Sequence, residues 1–182
     1  MAKNAKLHIL DGALDLLRAE GGGTVTLDAA AKQAGLTKPG LMYHFPTKEA
    51  LMLAVVNHVA DRWEALLLQR LGQPLETASH QQRIHAYVEV ALAEPFDRAD
   101  FAIFSDAHYR AAFTHTWVRR FEPWLTLPDD LPGPVRGRLT AARLLADGHW
   151  MAAATDVFPV PERDHAHLLA VAEGLLKDEA PG

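Results

Sequence analysis

The chain has 182 residues, 49% hydrophobic and 23% charged, with no cysteine and a formal net charge of −5. That is enough for one compact fold of two subdomains around a real core, and too apolar for a disordered chain. The missing thiols remove disulfides and thiol catalysis and fit a reducing cytoplasm, and the longest apolar run, Leu51 to Val56, is far too short to span a bilayer, so a soluble cytoplasmic protein with no membrane partner is expected.

The elements are all helical. The first helix, roughly Ala5 to Glu20, sets Leu7, Leu10, Leu14 and Leu17 on one face and ends at Gly21-Gly22-Gly23; with acids and helical spacing in place of an unbroken apolar run, it is not expected to be a secretory leader. Thr26 is placed to cap a short helix over Leu27 to Ala34, and Gly35 to end it in the left-handed conformation. Thr37 then caps another short helix with Pro39 in its first turn. Leu27, Ala30, Ala31, Ala34, Leu36, Leu41 and Phe45 supply an apolar interior small enough for the two helices to cross closely, as in a helix-turn-helix that lays its second helix in a major groove. The exposed remainder is Lys38, Gly40, Tyr43, His44 and Lys48.

Thr47 caps a long helix from Lys48 to about Leu71, with Leu51, Val55, Val59, Trp63 and Leu66 as its inward stripe. Gly72 and Pro74 end it, and Ser79 with Gln82 forms a capping box for a helix to about Ala93. Two further helices are expected between Arg98 and Leu125, and Tyr109, Phe113, Trp117, Phe121 and Trp124 share one face of the second. Pro134 opens a helix running to about Phe158, and a last helix ends near Lys177. The fold class is therefore all-α: a three-helix head with a helix-turn-helix, residues 1–48, joined by a long helix to a helical-bundle body, residues 49–182.

The charge is uneven. The first fifty residues hold six Lys and Arg against five Asp and Glu, so the acidic excess lies wholly in the body. By charge alone this is within ordinary scatter.

The constellation TKPGLMYHFPTKEAL, preceded by a helix of A-x-x-A-G type and followed by a long helix, resembles the TetR family of bacterial repressors. One position departs from the common pattern: Met42 follows Leu41, and the tyrosine comes next, at Tyr43. The resemblance implies a one-component transcriptional regulator, not an enzyme, that binds a double-stranded operator as a dimer. Lys38, at the start of the second helix, would read a base edge, with guanine as the natural partner of an ammonium, and Gly40 would allow close backbone approach. Tyr43, His44, Lys48, Thr26 and Thr37 would contact phosphates, and Pro39 belongs to the same DNA-binding turn. The resemblance also implies an effector pocket in the body, to which Phe101, Phe104, His108, Phe113 and Trp117 are the candidate contributors for a small hydrophobic molecule. For any single aromatic of the stripe, core packing is the simpler role.

The last two helices point to a homodimer. From Leu139 to Ala154, 11 of 16 positions are apolar, and from Ala166 to Leu176, 8 of 11, so each needs contacts on two sides. Leu145, Ala153, Leu168, Leu169, Ala172 and Leu176 are the expected interface, in a four-helix bundle about a two-fold axis. The ten histidines show no metal-ligand spacing, and no phosphate loop or nucleophile elbow occurs, so neither metal, cofactor nor catalytic residue is expected. Two other classes stay open: an all-α enzyme using His108 or His149 as acid or base with Asp147 as orienter, and a helical interaction module.

Overall fold

The computed structural model describes residues 2–19, 25–93, 97, 99–100 and 110–177. Among them the elements are α1 (Ala2–Ala19), α2 (Leu27–Gln33), α3 (Lys38–His44), α4 (Lys48–Leu71), a 3-10 turn (Leu75–Thr77), α5 (His80–Ala93), α6 (Arg110–Leu125), α7 (Gly133–Thr155) and α8 (Glu162–Leu176). None of these helices is long and apolar enough to cross a membrane.

Capping sets the starts. Thr26 Oγ accepts the Ala29 amide at 3.1 Å, Thr37 Oγ that of Gly40 at 3.2 Å, and Thr47 Oγ that of Ala50 at 3.0 Å. Ser79 and Gln82 close the expected reciprocal box, Ser79 N donating to Gln82 Oε1 at 2.8 Å and Gln82 N to Ser79 Oγ at 3.2 Å. At the end of α2, Gly35 has φ of +64°, and the amides of Gly35 and Leu36 reach back to the carbonyls of Lys32 and Ala31. This satisfies two carbonyls that a helix end otherwise leaves open. α7 stops at Thr155, earlier than the spacing predicts, because Asp156 takes up a left-handed conformation (φ 57°) that reverses the chain before Pro159.

Contact patterns divide the chain into two compact units. One comprises residues 1–62 with 97–120, the other residues 63–96 with 121–182. In the first, α1 packs on α2 and α2 on α3. Its core holds Ile9, Ala13, Leu14, Leu17, Ala30, Ala31, Leu41, Leu51, Val55, Val56 and Val59, each at 3% exposure or less. Two expected core residues are displaced outward: Leu7 is 40% exposed and Leu36 is 36% exposed. Ile9 and Ala13 extend the apolar face of α1 away from Leu7, and Leu36 lies in the turn after Gly35, beyond the helix it was expected to support.

In the second unit α5, α7 and α8 pack together. Ile84, Ala86, Val88 and Val90 on α5, Leu139, Ala142 and Ala146 on α7, and Ala172 and Leu176 on α8 are buried. The alanines carry no bulk beyond Cβ, so the helices approach closely at little side-chain entropy cost. On α4, Leu67 is fully buried and Leu66 only half-buried, a one-residue shift from the expected stripe. Of the aromatic stripe on α6, Phe121 and Trp124 are buried in this unit, Phe113 is buried and Trp117 half-buried in the first, and Tyr109 lies outside the described residues.

Candidate nucleic-acid interface

α2 and α3 form a capped pair whose inner faces meet through Ala30, Ala31, Ala34 and Leu41. The exposed residues of α3 are Lys38, Pro39, Met42 and Tyr43. Tyr43 is 85% exposed and its ring stands edge-on to His44, with centroids 5.3 Å apart. Thr26, Thr37, Lys38 and Pro39 are exposed, and Gly40, His44 and Lys48 half-buried. All eight residues expected to meet DNA thus belong to α2–α3, the caps of the two helices, and the first residue of α4.

Gly40 has a local role besides any approach to DNA. A Cβ there would stand 3.2 Å from Thr37 Oγ, the atom that caps α3 through the Gly40 amide. The residue that gives α3 a smooth outer face also keeps its cap intact.

Two further contacts in the head had no periodic signature in the sequence. Lys38 Nζ lies 2.8 Å from Asp28 Oδ2, joining the first turns of α3 and α2. Lys6 on α1 places its ammonium 5.9 Å from the centroid of the Phe45 ring, which closes α3.

Within the same unit Arg18 binds Asp97 through Nε and Nη2, and Asp15 through Nη1. Arg62 on α4 bonds Asp97 at 3.1 Å and also Asp100, whose side chain is almost wholly buried. Burial pushes the Asp97 carboxyl up, but the hydrogen bonds from Arg18 and the Ala99 amide, with the charges of Arg18 and Arg62, hold it below its ordinary value.

In the second unit Tyr87 is half-buried and its hydroxyl donates to Asp147 at 2.7 Å, while Arg143 binds the other carboxylate oxygen at 2.6 Å. Burial, and then the Asp147 charge, raise the Tyr87 pKa. His149 instead stands edge-on to His165, centroids 4.9 Å apart, and burial followed by the His165 charge lowers its pKa. Asp147 and His149 are therefore held by different partners, so these two do not form an acid–base pair, and His108, the other candidate partner of Asp147, lies outside the described residues. Among the described residues no three His, Asp or Glu are grouped to hold a metal.

Of the candidate effector residues, Phe113 is fully buried and Trp117 half-buried; Phe101, Phe104 and His108 lie outside the described residues. Of the expected dimer residues, Ala172 and Leu176 are buried inside the protomer, and Leu145, Ala153, Leu168 and Leu169 are half-buried. The apolar composition of these helices could not tell which side meets α5, and Ala172 and Leu176 are on that side. What α7 exposes between residues 134 and 155 is Pro134, Gly137, Ala141, Leu144, Gly148, Met151 and Thr155, spaced 3, 4, 3, 4, 3, 4 and free of charge. α8 exposes Ala166, Ala170, Val171 and Gly174, together with His167 and, in its first turn, Glu162 and Arg163.

The family model described as bacterial regulatory proteins, tetR family, matches residues 9–55, and that described as tetracyclin repressor-like, C-terminal domain, matches residues 81–177. The HTH-type transcriptional regulator RutR of Escherichia coli K12 is 42% identical over 62 residues, which cover 34% of this chain and 29% of that protein. The regulator EthR of Mycobacterium tuberculosis H37Rv is 31% identical over 72 residues, 40% of this chain and 33% of that protein. The matches thus span about a third of the length of these relatives. A solved TetR-family structure from Rhodococcus sp. shares the fold with a TM-score of 0.67 at 17% identity, over 96% of this chain and all of that one. A regulator structure from Streptomyces coelicolor A3(2) gives 0.61 at 20% identity, over 96% and 99%. With a regulatory-protein head and a repressor-like domain covering more than half of its length, the chain belongs to the TetR family of bacterial transcriptional regulators.

Proposed function

We propose that the chain is a cytoplasmic repressor that binds a palindromic operator as a homodimer and is released by a small hydrophobic effector. The DNA-binding part is residues 1–48 and the effector and dimerisation part residues 49–182. The observation that carries the reading is the exposed face of α3, where Lys38, Tyr43 and His44 stand on a helix capped at its start and packed on α2 behind. Lys38 reads a base edge from the groove, and Tyr43, His44, Lys48 and the Thr26 and Thr37 turns fix the register on phosphates.

The dimer forms through the uncharged seam of α7 with Ala166, Ala170, Val171 and Gly174 of α8. A 3-4 repeat of small and apolar residues suits a partner helix at close range, and two copies of the pair make a four-helix bundle. An effector enclosed by Phe101, Phe104, His108, Phe113 and Trp117 favours a dimer geometry whose heads no longer match successive grooves. Retention of fragmented genomic DNA on the protein tests the reading. Enrichment of one symmetric sequence is expected, and recovery in proportion to input would refute it.

A further inference from the structure

Lys38 is the first residue of α3, where the unpaired amides of the helix start carry positive charge and a basic side chain is disfavoured. Its ammonium is held by Asp28, 2.8 Å away in the first turn of α2. The two side chains are 50% and 68% exposed, so the pair adds little to the fold. A carboxylate on a face that is to meet a polyanion nevertheless weakens every complex with DNA, whatever the sequence.

From this pairing we infer that Asp28 is a specificity-determining residue of the head, holding Lys38 back from phosphates and yielding it to a correctly placed base edge; the inference rests on the DNA-binding role proposed above. An unrestrained surface ammonium gains from any phosphate, which adds affinity without discrimination. A tethered one must give up its carboxylate first. A phosphate merely exchanges one anion for another, whereas guanine O6 and N7 offer two acceptors at one fixed place in the major groove. Asp28 therefore subtracts more from binding to random DNA than from binding to the operator. It acts through Lys38 and is a positioning residue.

The test is a double-mutant cycle of Asp28→Asn and Lys38→Ala. It is read as affinity for the duplex recovered by genomic selection and for a random duplex, across a salt series. Asp28→Asn should tighten the random duplex several-fold at low salt and steepen its salt dependence by about 0.9 per head, with a smaller gain on the operator, so that the ratio narrows. In the Lys38→Ala background the same change should lose most of its effect. Asp28→Ser, which removes the charge with a different side chain, should reproduce the narrowing, and circular dichroism confirms that each variant is folded. An unchanged ratio, or an equal gain with and without Lys38, would overturn the role of Asp28 while leaving the regulator reading intact. A wild-type protein that prefers no recovered sequence would instead sink that reading, and this inference with it.

Discussion

Arg18 on α1 grips Asp97 with one edge of its guanidinium, Nε at 3.2 Å and Nη2 at 2.8 Å, and Arg62 on α4 holds the same carboxylate at 3.1 Å. Arg62 in turn satisfies Asp100, a buried carboxylate that would be costly without its cation. Removing one member therefore costs more than one contact, because Arg18, Arg62 and Asp97 each bond two partners.

Asp97→Asn should lower stability at neutral pH by roughly 1 kcal/mol, the site being only partly shielded from water. The folded Asp97 titrates below its ordinary value, so its contribution is complete above the unfolded value and lost as pH falls through the folded one. Urea unfolding of both proteins from pH 7 down to pH 3 should show the gap closing on the acid side. A gap that stays constant would mean that the charge of Asp97 is not what stabilises the site.

Leu144→Glu and Val171→Glu each put a charge on the exposed apolar seam, at positions 53% and 57% exposed in the protomer. Sedimentation at micromolar concentration should show a dimer for the wild type and folded monomers for both variants. Leu139→Ala, 3% exposed on the other side of α7, should instead cost about 2 to 5 kcal/mol of stability. Dimerisation undisturbed by both glutamates would place the interface elsewhere.

Lys48→Ala should weaken binding to all DNA alike and reduce the slope of log affinity against log salt by about 0.9 for each head. Lys38→Ala should instead narrow the gap between operator and random duplex. Equal affinities for both variants and the wild type, all folded, would remove α3 from the groove.

A hydrophobic effector that loosens operator binding should change tryptophan emission, since Trp117 lies half-buried on the α6 stripe and the Trp63 ring is 6.3 Å from that of Tyr87. Operator DNA should weaken effector binding by the same factor, as linkage requires. Tight ligands that leave operator affinity unchanged would count against effector control.

Local signals carried the head. Thr26, Gly35, Thr37 and Thr47 each act within four residues of their own position, so caps and turn could be read from the chain alone. Asp28 with Lys38, and Arg18 with Arg62, Asp97 and Asp100, join residues from different helices, and no spacing rule announces them. The dimer face shows the same limit. The excess of apolar residues on α7 and α8 was visible, but whether Ala172 and Leu176 or Ala170 and Val171 faced α5 depended on helix rotation, which an almost uniformly apolar helix does not specify.

The central claim, a two-fold dimer reading DNA through α3, is tested most directly by the sequence and stoichiometry of the DNA it selects. Genomic fragments retained by the wild type should share an inverted repeat whose half-site centres are about 34 to 36 Å apart or a multiple of that, bound by two chains in sedimentation of the complex. Leu144→Glu should fail to retain it. Selection of a single asymmetric site, bound by one chain and retained equally by Leu144→Glu, would contradict the account.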